Sequence, residues 1–423
     1  MASRRITVDE ITRIEGHANL VIEIEDDELK DVRFGVHEGS RYFESFMLNR
    51  NWRNLPELSA RICGICTVAH EIASVLAVEN ALGIDPGERV HGIRKLMLYS
   101  SHIQSHVLHL FFLALPDYVN RGSAIELASD NPDIVKMAFR IKEGTNYLTA
   151  LLGGRAVHPP AIVPGGHTMR ITREKLRRYA NKMRELYPLL VSTAEIFLDI
   201  NYPEFERDCE FVSLVGDGIP LYRGDIGSTS TRFPPEEYQE HIVESVAEHS
   251  TAKRSLFDGR DYMVGALSRL NLNQHLRDEA REMAENYGFA FPSRRVAWIN
   301  AAQAIENIHF ALEAIELAEE MREYEPLMVN GNDGGEGVGA VEAPRGLLIH
   351  HYRIQRGRSE YVNIITPTAM NAENIERTLQ EILPEIITSG DAMIKKTAEM
   401  IIRAYDPCIS CSVHVTRANT KGK

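Results

Sequence analysis

Apolar and polar residues alternate along the first stretch of the chain. ANLVIEIEDDELKDVRFGV, residues 18–36, keeps a period of two on either side of an acidic turn at Asp26 and Asp27, the pattern of a half-exposed hairpin. After Cys66 the period becomes helical. AHEIASVLAVENALGI meets a stop at Gly83, with Asp85 and Pro86 behind it. Long helices are also expected over VHGIRKLMLYSSHIQSHVLHLFFLAL, over the amphipathic REKLRRYANKMRELYPLLVSTAEIFL, over WINAAQAIENIHFALEAIELAEEM, and from about Ala372 to Ala404. Glycine and proline make GGRAVHPPAIVPGGHTMRIT a structured loop, and the glycines of GNDGGEGVGAVEAPRGLLIHHY mark a tight loop feeding Arg345. Residues 201–295 show no clear period. The pattern predicts one mainly α (α+β) domain over residues 1–423, a central bundle of long helices with a small N-terminal β portion, 1–37.

Composition narrows the setting. The chain has 423 residues, 44% hydrophobic and 25% charged, which suits a large body with a buried core. A net charge of −13 excludes nucleic acid as the expected partner. No apolar run approaches the roughly 18 residues of a membrane span, and MASRRITVDE has no signal-like apolar region. A cytoplasmic protein with reduced thiols is expected.

The candidate chemistry lies in two Cys-x-x-Cys motifs separated by most of the chain. RICGIC holds Cys63 and Cys66; DPCISC holds Cys408 and Cys411; Cys209 is the one cysteine left. Each spacing lets two thiolates meet one metal ion, and four such sulfurs make a soft site. A zinc staple joining the chain ends remains open here, although zinc knuckles space their pairs about 15–20 residues apart. A redox pair would sit beside a βαβ unit, and none is evident. Cys209 reads as an inert buried thiol. His102, His106 and His109 share one helix face and read as packed histidines rather than ligands. His70 lies one turn past Cys66, where it reads either as a core histidine or as a donor to a thiolate.

RICGIC with the following Thr67, Val68, Ala69 and His70, and DPCISC with Ser412, Val413 and His414, resemble the large subunit of nickel-iron hydrogenases. TRIEGH at 12–17, RYFESF at 41–46, EAPRG at 342–346 and ITPT at 365–368 extend the resemblance along nearly the whole chain. It implies Cys63 and Cys408 as terminal nickel thiolates, and Cys66 and Cys411 as bridges between nickel and an iron carrying CO and cyanide. It implies Arg345, after Pro344, and Thr368 as donors to those diatomic ligands, with His70 and Asp406 beside the site. Glu44, the Ile364 carbonyl and His414 would hold magnesium or a similar cation. Ser105 stands where many members carry an aspartate.

The implied reaction is reversible heterolytic cleavage of H2, with a terminal thiolate or Arg345 as base and Glu15 relaying the proton outward from Cys408. An iron-sulfur cluster takes about four cysteines, and the metal site uses all but Cys209, so the electron relay belongs on an obligate iron-sulfur small subunit. Further electron-transfer subunits, a soluble acceptor of the NAD(P) kind and a maturation protease cutting after His414, which would release 415–423, complete the expectation. The rival reading is a metal-free or zinc-stapled scaffold subunit.

Overall fold

The N-terminal alternation becomes a three-stranded antiparallel sheet, Ser3–Val8, Ala18–Glu25 and Glu28–Val36. Ile6 lies opposite Ile22, and Leu20 opposite Phe34, so one face of the sheet is apolar and buried. Asp26 and Asp27 both take positive φ, 50° and 59°, as a two-residue hairpin turn demands. The computed structural model describes residues 3–273 and 275–413.

Four long helices, Glu88–Leu108, Pro132–Gly153, Arg173–Leu198 and Ile299–Glu320, pack on one another as the expected bundle. The first runs on into a π-helical segment, His109–Ala114. A further helix, Thr67–Leu82, carries the first cysteine pair at its start and ends on Gly83, whose φ of 63° closes the last turn.

Strand content exceeds the expectation in two places. The stretch read as a glycine loop is a three-stranded sheet, Gly335–Ala343, Gly346–Gln355 and Arg358–Ile365. Gly335, Gly337 and Gly339 occupy one face of its first strand, and a Cβ on Gly339 would stand 2.1 Å from the Ala73 carbonyl oxygen. The Thr67–Leu82 helix therefore rests backbone to backbone on this strand. The glycines mark close approach, not a turn. The second place is 210–263, where Glu210–Val215 pairs with Asp225–Ser228 and Tyr262–Met263 and encloses a small core with Val338 and Ile349.

The expected helix from Ala372 to Ala404 is two helices, Pro367–Ile382 and Asp391–Ala404. A 3-10 turn, Leu383–Ile386, separates them. Pro384 explains the break, since its ring denies a backbone N–H to any continuing α-helix.

Candidate metal centre

Both cysteine pairs sit on the same local device, a tight turn that opens a helix. Cys66 precedes the first residue of Thr67–Leu82, and Cys408 precedes the short helix Ile409–Ser412. The chain ends are stitched together beside them, because Ile409 N–H donates to the Glu15 carbonyl at 2.9 Å and Arg41 N–H to the Val413 carbonyl at 2.9 Å.

This brings four sulfurs into one pocket. Cys63 and Cys66 stand 2.7 Å apart, Cys408 and Cys411 2.6 Å, Cys63 and Cys408 3.6 Å, and Cys66 and Cys411 3.5 Å. Ligands bonded at about 2.3 Å to one ion lie within about 4.6 Å of each other, so these separations suit shared coordination. All four residues are at most 4% exposed, and none forms a disulfide. Among the described residues this is the one cluster of histidine, cysteine and carboxylate groups close enough to hold a metal.

The electrostatics call for cations. Hydrogen bonds from Cys408, Cys411 and Cys66 hold the Cys63 thiol well below its ordinary range, whereas burial pushes Cys408 and Cys411 well up. Arg345, with Nη1 3.7 Å from Cys66 Sγ, is the nearest positive charge. Burial opposes its charge, but Asp406 and the cysteines outweigh that and keep it protonated. One guanidinium could not balance all four sulfurs once deprotonated, so as thiolates the donor set fits a nickel-iron pair.

The residues singled out beside the cysteines fall around them. Arg345 Nε donates to the Asp406 carbonyl at 2.8 Å, and its Nη2 lies 3.0 Å from Asp406 Oδ1. Thr368 Oγ1 accepts from Cys408 N–H at 2.9 Å, which leaves its hydroxyl proton for another acceptor. Cys408 Sγ donates to Glu15 Oε2 at 3.1 Å. His70 Nδ1 is 3.1 Å from His350 Nε2, and His350 Nδ1 is 2.6 Å from the Tyr352 hydroxyl. The Pro344 carbonyl accepts from His106 and Arg269, each at 3.2 Å.

Glu44 is 1% exposed, on the short helix Phe43–Met47. Its carboxylate accepts from Lys253 Nζ at 3.0 and 3.2 Å and from Ile364 N–H at 2.9 Å. Glu244 Oε2 lies 3.4 Å from the same ammonium, while its buried Oε1 has no hydrogen-bond partner. Lys253 is thus the cationic partner of Glu44 in this structure, and burial raises the Glu244 carboxyl beside it. His414 and the expected tail 415–423 lie outside the described residues.

The three helix histidines are packed in the core. His102 bonds to the Leu98 carbonyl, His106 faces Asn307 and the Pro344 carbonyl, and His109 faces Gln303 and the Arg403 carbonyl. Ser105 Oγ is buried without a partner. Sequence reasoning missed Ser410, whose N–H donates to Glu15 Oε2 at 3.0 Å and whose hydroxyl donates to Glu15 Oε1. Its place inside DPCISC was the available signal. It also missed Lys253, Glu244 and Arg269, which no local pattern marks.

Comparison with known proteins agrees with this geometry. The family described as nickel-dependent hydrogenase matches residues 41–144 and 236–414, and a HoxL-like family matches 5–38. The alpha subunit of sulfhydrogenase 2 from Pyrococcus furiosus is 39% identical over 419 residues, covering 97% of this chain and 99% of that one. The alpha subunit of sulfhydrogenase 1 from the same organism is 34% identical over 420 residues, covering 97% and 98%. A crystal structure of an NAD+-reducing [NiFe]-hydrogenase in the H2-reduced state superposes with a TM-score of 0.88 at 25% identity, covering 98% of this chain and all of that one. With four buried cysteine sulfurs in one pocket and these relatives matched along nearly their whole length, the chain belongs to the nickel-dependent hydrogenases, as the large subunit of a nickel-iron enzyme.

Proposed function

We propose that this subunit cleaves H2 heterolytically and reversibly at a nickel-iron centre, hands the electrons to an iron-sulfur small subunit, and so reduces NAD(P). The gathering of Cys63, Cys66, Cys408 and Cys411 into one buried pocket carries the reading. The bound metals would supply the open Lewis-acidic position at which H2 is polarised, with CO and cyanide on the iron.

The chain's own residues do the rest. Cys63 and Cys408 would hold the nickel, and Cys66 and Cys411 would hold the nickel and the iron. Arg345, locked on Asp406, keeps its fork beside Cys66, where it can donate to an iron ligand or take a proton. Thr368 is the second donor, and His70 orients the thiolate side. A proton on Cys408 has Glu15 within reach at 3.1 Å. Beyond Glu15, Ser410 Oγ lies 3.5 Å from Glu38 Oε2, which continues the route outward. Glu44, the Ile364 carbonyl and His414 would hold a magnesium-type cation.

Electrons leave through another chain. Four of the five cysteines are committed to the pocket, and burial pushes the fifth, Cys209, up to about 11, far from a thiolate ligand. No described helix is long and apolar enough to cross a membrane; the proposal places the subunit in a cytoplasmic heteromer with further electron-transfer subunits. A protease cutting after His414 completes the site.

Metal analysis and infrared spectroscopy of the purified heteromer test the centre. Nickel and iron near one each, with bands of metal-bound CO and cyanide, are expected; zinc alone would establish the scaffold alternative. H2-dependent reduction of NAD+, NADP+ and polysulfide tests the acceptor. The likeness to an NAD+-reducing enzyme supports NAD(P), while 39% identity to a sulfhydrogenase alpha subunit favours a sulfur compound as the second reading.

A further inference from the structure

Arg345 stands at the tip of a hairpin that is poorly built to hold itself. Strands Gly335–Ala343 and Gly346–Gln355 pair up to Ala343 opposite Gly346, so Pro344 and Arg345 alone form the turn. Two-residue hairpins close best with positive φ at the first turn position, which proline forbids, and Arg345 is not in the positive-φ region either. A turn without those angles splays its strands unless something outside the hairpin grips it.

The grip comes from Arg269, on the helix Ala266–Leu272. Its guanidinium is 0% exposed and donates to both carboxylate oxygens of Glu306, at 2.6 and 2.7 Å, and to Glu342 Oε2 at 2.9 Å. The same guanidinium donates to the Ala343 carbonyl at 3.1 Å and the Pro344 carbonyl at 3.2 Å, the two peptide oxygens just before Arg345. At the N-terminus of the same helix, a Cβ on its N-cap Gly265 would meet the Arg345 carbonyl oxygen at 3.1 Å, so the helix start lies close against the turn. Glu306 comes from the bundle and Glu342 from the strand, so one side chain ties bundle, sheet and turn together.

We infer that Arg269 is a positioning residue for Arg345: its planar fork, fixed by Glu306 and Glu342, sets the Ala343–Pro344 carbonyls and thereby aims the Arg345 guanidinium at Cys66 and Asp406. The inference rests on the hydrogenase reading of the centre for its catalytic consequence, but its geometric part does not. Lysine carries the charge of arginine without the planar fork, so it cannot hold two carboxylates and two carbonyls at once.

The test is a double-mutant cycle of Arg269→Lys and Arg345→Lys in the intact heteromer. Arg269→Lys should retain nickel and iron, lose about tenfold or more in kcat with KM for H2 within about twofold, and shift the CO and cyanide bands in the direction that Arg345→Lys shifts them. The double variant should be no slower than Arg345→Lys alone. Crystal structures of the same proteins give a readout needing no metal: the Arg345–Asp406 pair should be intact in the unsubstituted chain and broken in Arg269→Lys. Multiplying rate losses, or an intact pair with unshifted bands, would overturn the assignment. If Arg269→Lys does not accumulate, Glu342→Gln keeps the Glu306 fork, removes one anchor, and is judged by the same bands and the same pair. An unsubstituted heteromer lacking nickel and iron would defeat the hydrogenase reading instead, leaving the crystallographic comparison to decide on Arg269.

Discussion

Glu15 and Ser410 meet at Cys408 from opposite ends of the chain, and their contacts differ in kind. The thiol donates to one Glu15 oxygen, and the Ser410 hydroxyl donates to the other. Glu15→Gln leaves the geometry nearly unchanged but removes the proton acceptor. It should keep nickel, iron and the diatomic bands while turnover falls about 10²–10⁴-fold, measured as H2 oxidation with an artificial acceptor. Ser410→Ala removes a donor without touching the sulfur and should cost about tenfold or less by the same assay. Such pairings explain what was legible. Cysteine spacing betrays shared ligation because two sulfurs three residues apart meet one ion, whereas Lys253 reaches Glu44 from 209 positions away, and nothing local to either residue records that.

Among the elements, helices with an apolar stripe were legible and the glycine strand was not. Arg173–Leu198 begins and ends where its periodicity does. Gly335–Ala343 has glycine at the first three positions of one face, Gly335, Gly337 and Gly339, so its alternation was invisible there and its glycines read as a turn. That face gives a sharp stability test. Gly339→Ala would drive a Cβ to 2.1 Å from the Ala73 carbonyl and should destabilise the chain by about 2–4 kcal/mol. Gly39→Ala, which meets nothing within 4 Å, should stay within about 0.5 kcal/mol. Denaturant midpoints of the two variants decide it. The broken C-terminal helix was legible in principle, through Pro384, but its amphipathic stripe runs across the break and hid it.

For the whole molecule, fold class followed from four long helices, while the sheet around Glu210–Val215 stayed hidden because strands of two to six residues carry little pattern. The core also holds neutral histidines. Burial keeps His102 down to about 3, and His167 and His309 down to about 4. The unfolded chain takes protons there below about pH 6.5, and the folded chain refuses them until about pH 4. Stability is therefore fully present above pH 6.5 and lost as pH falls toward 4, at about 1.4 kcal/mol per unit for each histidine. Urea midpoints of the metal-free chain at pH 7 and pH 5 should show that fall; a flat profile would contradict it. The stitching of Ile409 to Glu15 has a consequence in time. With 345 positions between Cys63 and Cys408, and synthesis at about 5–20 residues per second, the early thiol pair waits roughly 20–70 s on the ribosome before its counterpart exists. An ion arriving in that interval finds two sulfurs and water, never four. The centre thus closes only once Cys411 has been made, and translation through the second cysteine pair becomes the first condition for a closed site.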